Sequence, residues 1–215
     1  MVLIILQWNA RSLISNGQEI KKFISNVSDK PQWDFVVYGY TAIRNDRETG
    51  KGGGVATFVR NGLSYNLVKI GKEQKSIVIK VWTGKSSITI INYYNPRNRL
   101  SMDALNNASG LIQGNVVWCG DFNAHSTLWG SNNTDTHGSV IEEFIDDMGM
   151  VCINDGKGTR FNSSQNTESV IDLTLTSTLI AGVTTWEVLN RSTIGSDHYP
   201  IVTNIGIEIH DKRRE

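Results

Sequence analysis

Short apolar runs separated by turn residues punctuate this chain, and that pattern limits its fold more than any other feature. Residues 2–9, Asp34–Tyr40, Val55–Arg60, Ser76–Thr83, Ser87–Tyr94, Val116–Gly120, Val151–Asn154, Val170–Thr176, Ala181–Leu189 and Ile201–Ile209 each read as a strand. Gly84-Lys85 reads as a tight turn between the fourth and fifth of these. Three stretches have helical spacing instead. One runs from a cap at Ser15 or Asn16 to about Val27, with Ile20, Phe23, Ile24 and Val27 on one face. The others are Met102–Gln113, capped by Ser101, and Val140–Met148, closed by Gly149. Many strands, few helices and irregular connections predict an α+β fold with two packed sheets.

No linker, repeat or low-complexity tract divides the 215 residues. Residues 1–209 therefore read as one domain and 210–215 as a charged tail. Lys plus Arg and Asp plus Glu are both 21, so the net charge is zero. That excludes attraction of nucleic acid by bulk charge; a polyanion must be held by a local patch or a metal. Cys119 and Cys152 are each embedded in apolar residues and read as buried free thiols, as expected inside cells. The opening Met1–Leu6 lacks a basic start and a cleavage site, so it reads as a strand and not as a signal peptide. No run approaches the roughly 20 apolar residues that a membrane helix needs.

Two strings place polar groups at strand ends. Gly120-Asp121-Phe122-Asn123 follows one apolar run, and Ser196-Asp197-His198 precedes another. In an extended segment Asp121 and Asn123 point the same way while Phe122 turns inward. The Asp can take a proton and the Asn can donate to a phosphate oxygen. An Asx-rich turn has the same spelling. His198 can pair with a carboxylate that fixes its tautomer, and Asp172, inside an apolar run, needs a partner. A structural Arg would also serve it. Asn9 and Tyr94 end strands and can support a cation and a phosphate respectively, or act as turn and packing residues. Lys51-Gly52-Gly53-Gly54 lacks the P-loop spacing and reads as a flexible hairpin entry. Arg44, Arg47, Lys51 and Arg60 crowd around it, with Arg97, Arg99, Lys157 and Arg160 in later loops. They form either a basic rim for a nucleic-acid backbone or ordinary solvated charge.

Taken in order, Trp8-Asn9, Tyr94-Asn95-Pro96, Gly120-Asp121-Phe122-Asn123-Ala124-His125, Ile171-Asp172-Leu173 and Ser196-Asp197-His198 resemble the exonuclease–endonuclease–phosphatase superfamily. The similarity is greatest to the apurinic-endonuclease-like domain of non-LTR (LINE-type) retrotransposons, and it covers nearly the whole chain. The resemblance implies a four-layer α/β sandwich, two mixed sheets flanked by helices. It implies Mg²⁺- or Mn²⁺-dependent nicking of double-stranded DNA that leaves a 3′-hydroxyl and a 5′-phosphate. It also implies a neighbouring reverse transcriptase that extends the hydroxyl, and action in the nucleus. Carried over by position, Asn9 and Asp197 lie near the metal, Asp121 handles the proton of the attacking water, and Asn123 orients water and phosphate. Tyr94 and His198 stabilise the phosphorane, with Asp172 orienting His198. Arg44, Arg47, Arg60, Arg97 and Arg160 are the candidate DNA-backbone contacts.

The pattern departs from the family at one point. A strand after the first helix should end in Gln-Glu-Thr or Gln-Glu-Ser, whose Glu is a principal metal ligand, and no Gln-Glu stands there. Either Gly39 and Tyr40 replace the pair, or about a dozen residues, with one central strand, are lost between Lys30 and Trp33. On the second reading Tyr38-Gly39-Tyr40 and Arg44–Arg47 belong to the family's next segment. Glu48 has no placement in the site. Two functions follow: an endonuclease domain, or a degenerate relic of one with little cleavage. A phosphoesterase acting on lipids or inositol phosphates fits the Gly-rich basic loop less well.

Overall fold

The computed structural model describes residues 3–10, 16, 39–46, 54–71, 75–83, 86–95, 100–109, 114–190 and 193–207. The larger sheet has six strands among these, ordered β4 (Tyr65–Gly71), β5 (Lys75–Thr83), β6 (Ser86–Tyr94), β7 (Asn115–Asp121), β11 (Asp172–Ser177) and β8 (Met150–Cys152). It is mixed, because β6 and β7 run parallel while the other neighbours are antiparallel. The smaller sheet is β1 (Leu3–Gln7), β13 (Ile201–Ile205) and β12 (Thr184–Val188), antiparallel throughout its described part. Two hairpins stand apart: β2 (Tyr40–Asp46) with β3 (Gly54–Arg60), and β9 (Arg160–Asn162) with β10 (Thr167–Ser169).

The central strands read as unbroken apolar runs because both of their faces are buried. Val117 and Cys119 of β7 join Ile77, Ile79, Ile88, Ile90, Leu3 and Ile205 in one core, shared with the smaller sheet. Trp118 of the same strand joins Tyr93, Phe122, Phe144 and Leu105 in a second. Helices α1 (Met102–Ser109) and α2 (Thr136–Met148) cover this second face. Both cysteines are free; Cys119 is buried and Cys152 is partly exposed.

Several expectations are corrected. Helix α2 begins at Thr136, because Asp135 caps it by accepting from Gly138 N–H at 2.7 Å. Its polar first turn, Thr136-His137-Gly138-Ser139, carries no apolar periodicity. The run from Ala181 opens on a short helix, α3 (Thr178–Ala181), and becomes a strand only at Thr184. The charged stretch from Arg44 to Lys51, which its composition predicts as a loop, is strand over Arg44–Asp46, since Arg44 pairs with Ala56 and Asp46 with Gly54. β4 and the β9–β10 hairpin had no counterpart in the sequence reading. The pairing of β2 with β3 makes Gly39-Tyr40 the entry to a hairpin. Ser101 does cap α1, its Oγ accepting from Ala104 N–H at 3.2 Å. The expected first helix beyond Asn16, residues 34–38, the turn at 84–85 and the tail lie outside the described residues.

Candidate active site

Strand register aligns the first part of the site. Tyr94 at the end of β6 lies opposite Asp121 at the end of β7, and Asp121 lies opposite Asp172 at the start of β11. The smaller sheet ends beside this row, where Gln7 pairs with Ile201. Asn9 follows that pair by two residues, and His198 precedes it by three. Gln7 is buried and joins the two sheets: its Nε2 donates to Gly120 O at 3.1 Å, and its Oε1 accepts from Thr174 Oγ1 at 3.1 Å.

Hydrogen bonds close the cluster. His198 Nδ1 lies 2.7 Å from Asp172 Oδ2, with both side chains almost wholly buried. A carboxylate can only accept, so the ring donates from Nδ1. His198 Nε2 is 3.7 Å from Asp197 Oδ1, too far for a hydrogen bond. Asp121 Oδ2 accepts from Asn9 Nδ2 at 2.7 Å, and Asp121 Oδ1 accepts from the Asn123 N–H at 3.0 Å. Asp121, Asp172 and His198 each offer a ligand atom within 4.8 Å of the others.

Burial raises the pKa of Asp121 to about 7, and the charge of Asp172 adds to this; His198 and the hydrogen bonds from Asn123 and Asn9 oppose it. For His198, burial disfavours the charged ring, but the charge and hydrogen bond of Asp172, with Asp121 and Asp197, outweigh it and raise the pKa. Between about pH 4 and 7 the folded protein therefore keeps a proton on Asp121 that the unfolded chain releases, so stability falls as pH rises. His198 adds stability that is complete below about pH 6.5 and is lost as pH climbs through its raised folded value. Both slopes have the same sign. In chelator, the melting temperature of Asp121→Asn should gain on wild type by on the order of 5 °C as pH rises from 4.5 to 7.5. A pH-independent difference in calorimetry would show that Asp121 ionises normally.

Other expected residues are placed differently. Asn123 does not continue the extended segment: its φ of 48° is left-handed, which lets its backbone N–H fold back onto Asp121. Asp197 Oδ2 accepts from Arg160 Nε at 2.8 Å. Arg160 thus sits against the Ser-Asp-His string, bridged to His198 through the backbone. A polar cavity of about 250 Å³ opens between Asn123 and Arg160, with His125 and His137 also on its wall. Arg44 pairs with Asp46 at 3.0 Å on the exposed hairpin, and Arg60 ends the same hairpin. Arg47 and Arg97 lie outside the described residues. Two supports were unforeseen. Ser196 Oγ donates to Asn9 O at 2.6 Å and accepts from His198 N–H at 3.2 Å. Thr159 Oγ1 accepts from the N–H groups of Ile171 and Asp172 at 3.1 and 3.0 Å. Ser196 stood inside a recognised string, whereas nothing marked Thr159.

The sequence model of a family described as endonuclease-reverse transcriptase matches residues 88–202. The chain belongs to that endonuclease–reverse transcriptase family. The match takes in Tyr94, Asp121, Asn123, Asp172, Asp197 and His198 and leaves out Asn9. Solved structures share the family fold. The endonuclease domain of TRAS1, a telomere-specific non-LTR retrotransposon, aligns with a TM-score of 0.76 at 19% identity, over 95% of this chain and 98% of its own. The APE2 catalytic domain of Xenopus laevis aligns with a TM-score of 0.72 at 15% identity, over 98% and 94%. The AP endonuclease LMAP of Leishmania major gives 0.69 at 15% identity, over 95% and 87%. Among curated proteins, none matches the chain in sequence. The architecture is therefore the one these structures share: α+β, with several sheets flanked by few helices.

Proposed function

We propose that this domain is a metal-dependent DNA endonuclease that nicks one strand of duplex DNA in the nucleus. The nick leaves a 3′-hydroxyl, which a reverse transcriptase domain of the parent protein extends. The observation that carries this reading is the buried cluster of Asp121, Asp172 and His198 at the joined ends of two sheets, in a chain of the endonuclease–reverse transcriptase family. Asp121 takes the proton of the attacking water, and the Asn123 carboxamide and the Tyr94 phenol donate to phosphate oxygens. His198, held through Nδ1 by Asp172, presents Nε2–H to the phosphorane. Water adds to phosphorus and the P–O3′ bond breaks, so the phosphate stays on the 5′ side.

The donor set suits a hard divalent cation. Asp121 and Asp172 repel one another in a buried site, and a cation would relieve that repulsion. Asn9 and Asp197 would hold it, beside Asp121. When bound, such an ion polarises the phosphate and stabilises the leaving 3′-oxygen.

One observation favours the second reading, a relic with weak cleavage. Asp197, expected near the metal, already carries an ion pair with Arg160. Supercoiled-plasmid nicking in Mg²⁺ separates the two. The chain is expected to nick at least about tenfold more slowly than a version with a Gln-Glu strand restored before Trp33. Equal rates would mean that the absent carboxylate is irrelevant, and no nicking by either protein would overturn the nuclease reading.

A further inference from the structure

We infer that Asn95 is a positioning residue for the catalytic segment, an inference that rests on the nuclease reading for its consequence but not for its geometry. Asn95 directly follows Tyr94 at the end of β6 and is 1% exposed. It bonds three successive residues of the neighbouring strand end. Its backbone N–H donates to Asp121 O at 2.9 Å, its Nδ2 donates to Phe122 O at 2.8 Å, and its carbonyl accepts from Asn123 Nδ2 at 2.9 Å. One residue thus holds each unit of Asp121-Phe122-Asn123.

This hold falls where the chain leaves regular pairing. The β6–β7 ladder ends at Tyr94 opposite Asp121, and two residues later Asn123 takes its left-handed φ. Asparagine enters the left-handed region more readily than other non-glycine residues, but at some cost, and contacts that fix it there select that conformation. Asn95 supplies that fixation from one side, and the bond from Phe122 N–H to Ile171 O, 2.9 Å, supplies it from the other. The consequence reaches Asp121: in this conformation the Asn123 N–H meets Asp121 Oδ1 at 3.0 Å.

The side chain's own chemistry argues against simple space filling. Asn95 Oδ1 is buried and accepts no hydrogen bond from the described residues. An unmatched buried acceptor costs stability that an apolar side chain of similar size would not. The carboxamide is therefore explained by its donor bond to Phe122 O. Asn95 touches no reacting atom in this scheme; it acts through Asp121 and Asn123.

The test compares wild type with Asn95→Val, and with Asn95→Ser if the first variant does not fold. The serine hydroxyl is too short to reach Phe122 O. Hydrogen exchange on the metal-free protein is the first readout. The Phe122 and Asn123 amides should exchange about tenfold faster in the variant, with Val117 and Trp118 unchanged. Plasmid nicking, normalised to the folded fraction, is the second: kcat should fall roughly 10- to 100-fold, with KM within about twofold of wild type. Uniformly faster exchange across β7 would reduce Asn95 to a structural residue and overturn the inference, as would an unchanged kcat. Should wild type fail to nick, the nuclease reading falls, and the exchange pattern alone decides whether Asn95 fixes the segment.

Discussion

His198→Ala is expected to lower the nicking rate by about a thousandfold when the rate is normalised to the folded fraction. The size follows from what the ring does. A positioned proton donor or acceptor contributes roughly 10²- to 10⁴-fold, and His198 is fixed by a 2.7 Å bond to a buried carboxylate. The substitution also leaves Asp121 and Asp172 facing each other without the imidazole that offsets their charge. Asp121 should then hold its proton to higher pH, which leaves less of it ionised to accept the water's proton near neutral pH. Both effects act in the same direction. Plasmid nicking measured beside a melting curve checks the expectation. Nicking that persists at the wild-type rate would place the activity in a contaminant or in another site.

The pairing behind that prediction could be read from sequence because each partner was anomalous in its own surroundings. Asp172 stood in an apolar run where an unpaired carboxylate is costly, and His198 stood between a polar string and an apolar strand. β7 was legible for a related reason. Both of its faces are buried, so its hydrophobic run has no gaps. The elements that escaped lack that signal. β4 exposes Leu67, Val68 and Ile70 in close succession and carries a register shift at Val68, which breaks any period-two pattern. The first turn of α2 is made of residues with weak helix preference, and a capping bond sets its start. The Arg160–Asp197 contact joins residues 37 apart through a small hairpin with little burial of its own. Arg160 therefore read as one more loop cation. Thr159 escaped for the converse reason: a buried hydroxyl that organises backbone N–H groups is spelled like any surface threonine.

Gly120→Ala should be strongly destabilising, although it alters no catalytic group. Gly120 precedes Asp121 and lies opposite Tyr93 in the parallel pairing of β6 and β7. Its φ is +157°, and a Cβ built there would fall 1.7 Å from Tyr93 O and 2.7 Å from Tyr93 C. Those are backbone atoms of a buried strand, so no side-chain rotation relieves the overlap. From another direction Gln7 Nε2 donates to Gly120 O, which fixes the same peptide against the smaller sheet. Either the β6–β7 pairing opens or the end of β7 shifts, and a shift carries Asp121 out of its row with Tyr94 and Asp172. The expected cost is about 4 kcal/mol, or roughly 10 °C in melting temperature for a chain of this size. Nicking should be lost even well below the new melting temperature, because the displaced residue is the proposed base. Gly182→Ala is the matching control: its φ is −68° and nothing lies within 4 Å of the added carbon. That variant should stay within about 0.5 kcal/mol of wild type. Equal melting temperatures for the two alanine variants would mean that β6 and β7 tolerate a wider spacing at Tyr93, and the close approach would no longer explain why glycine stands next to Asp121.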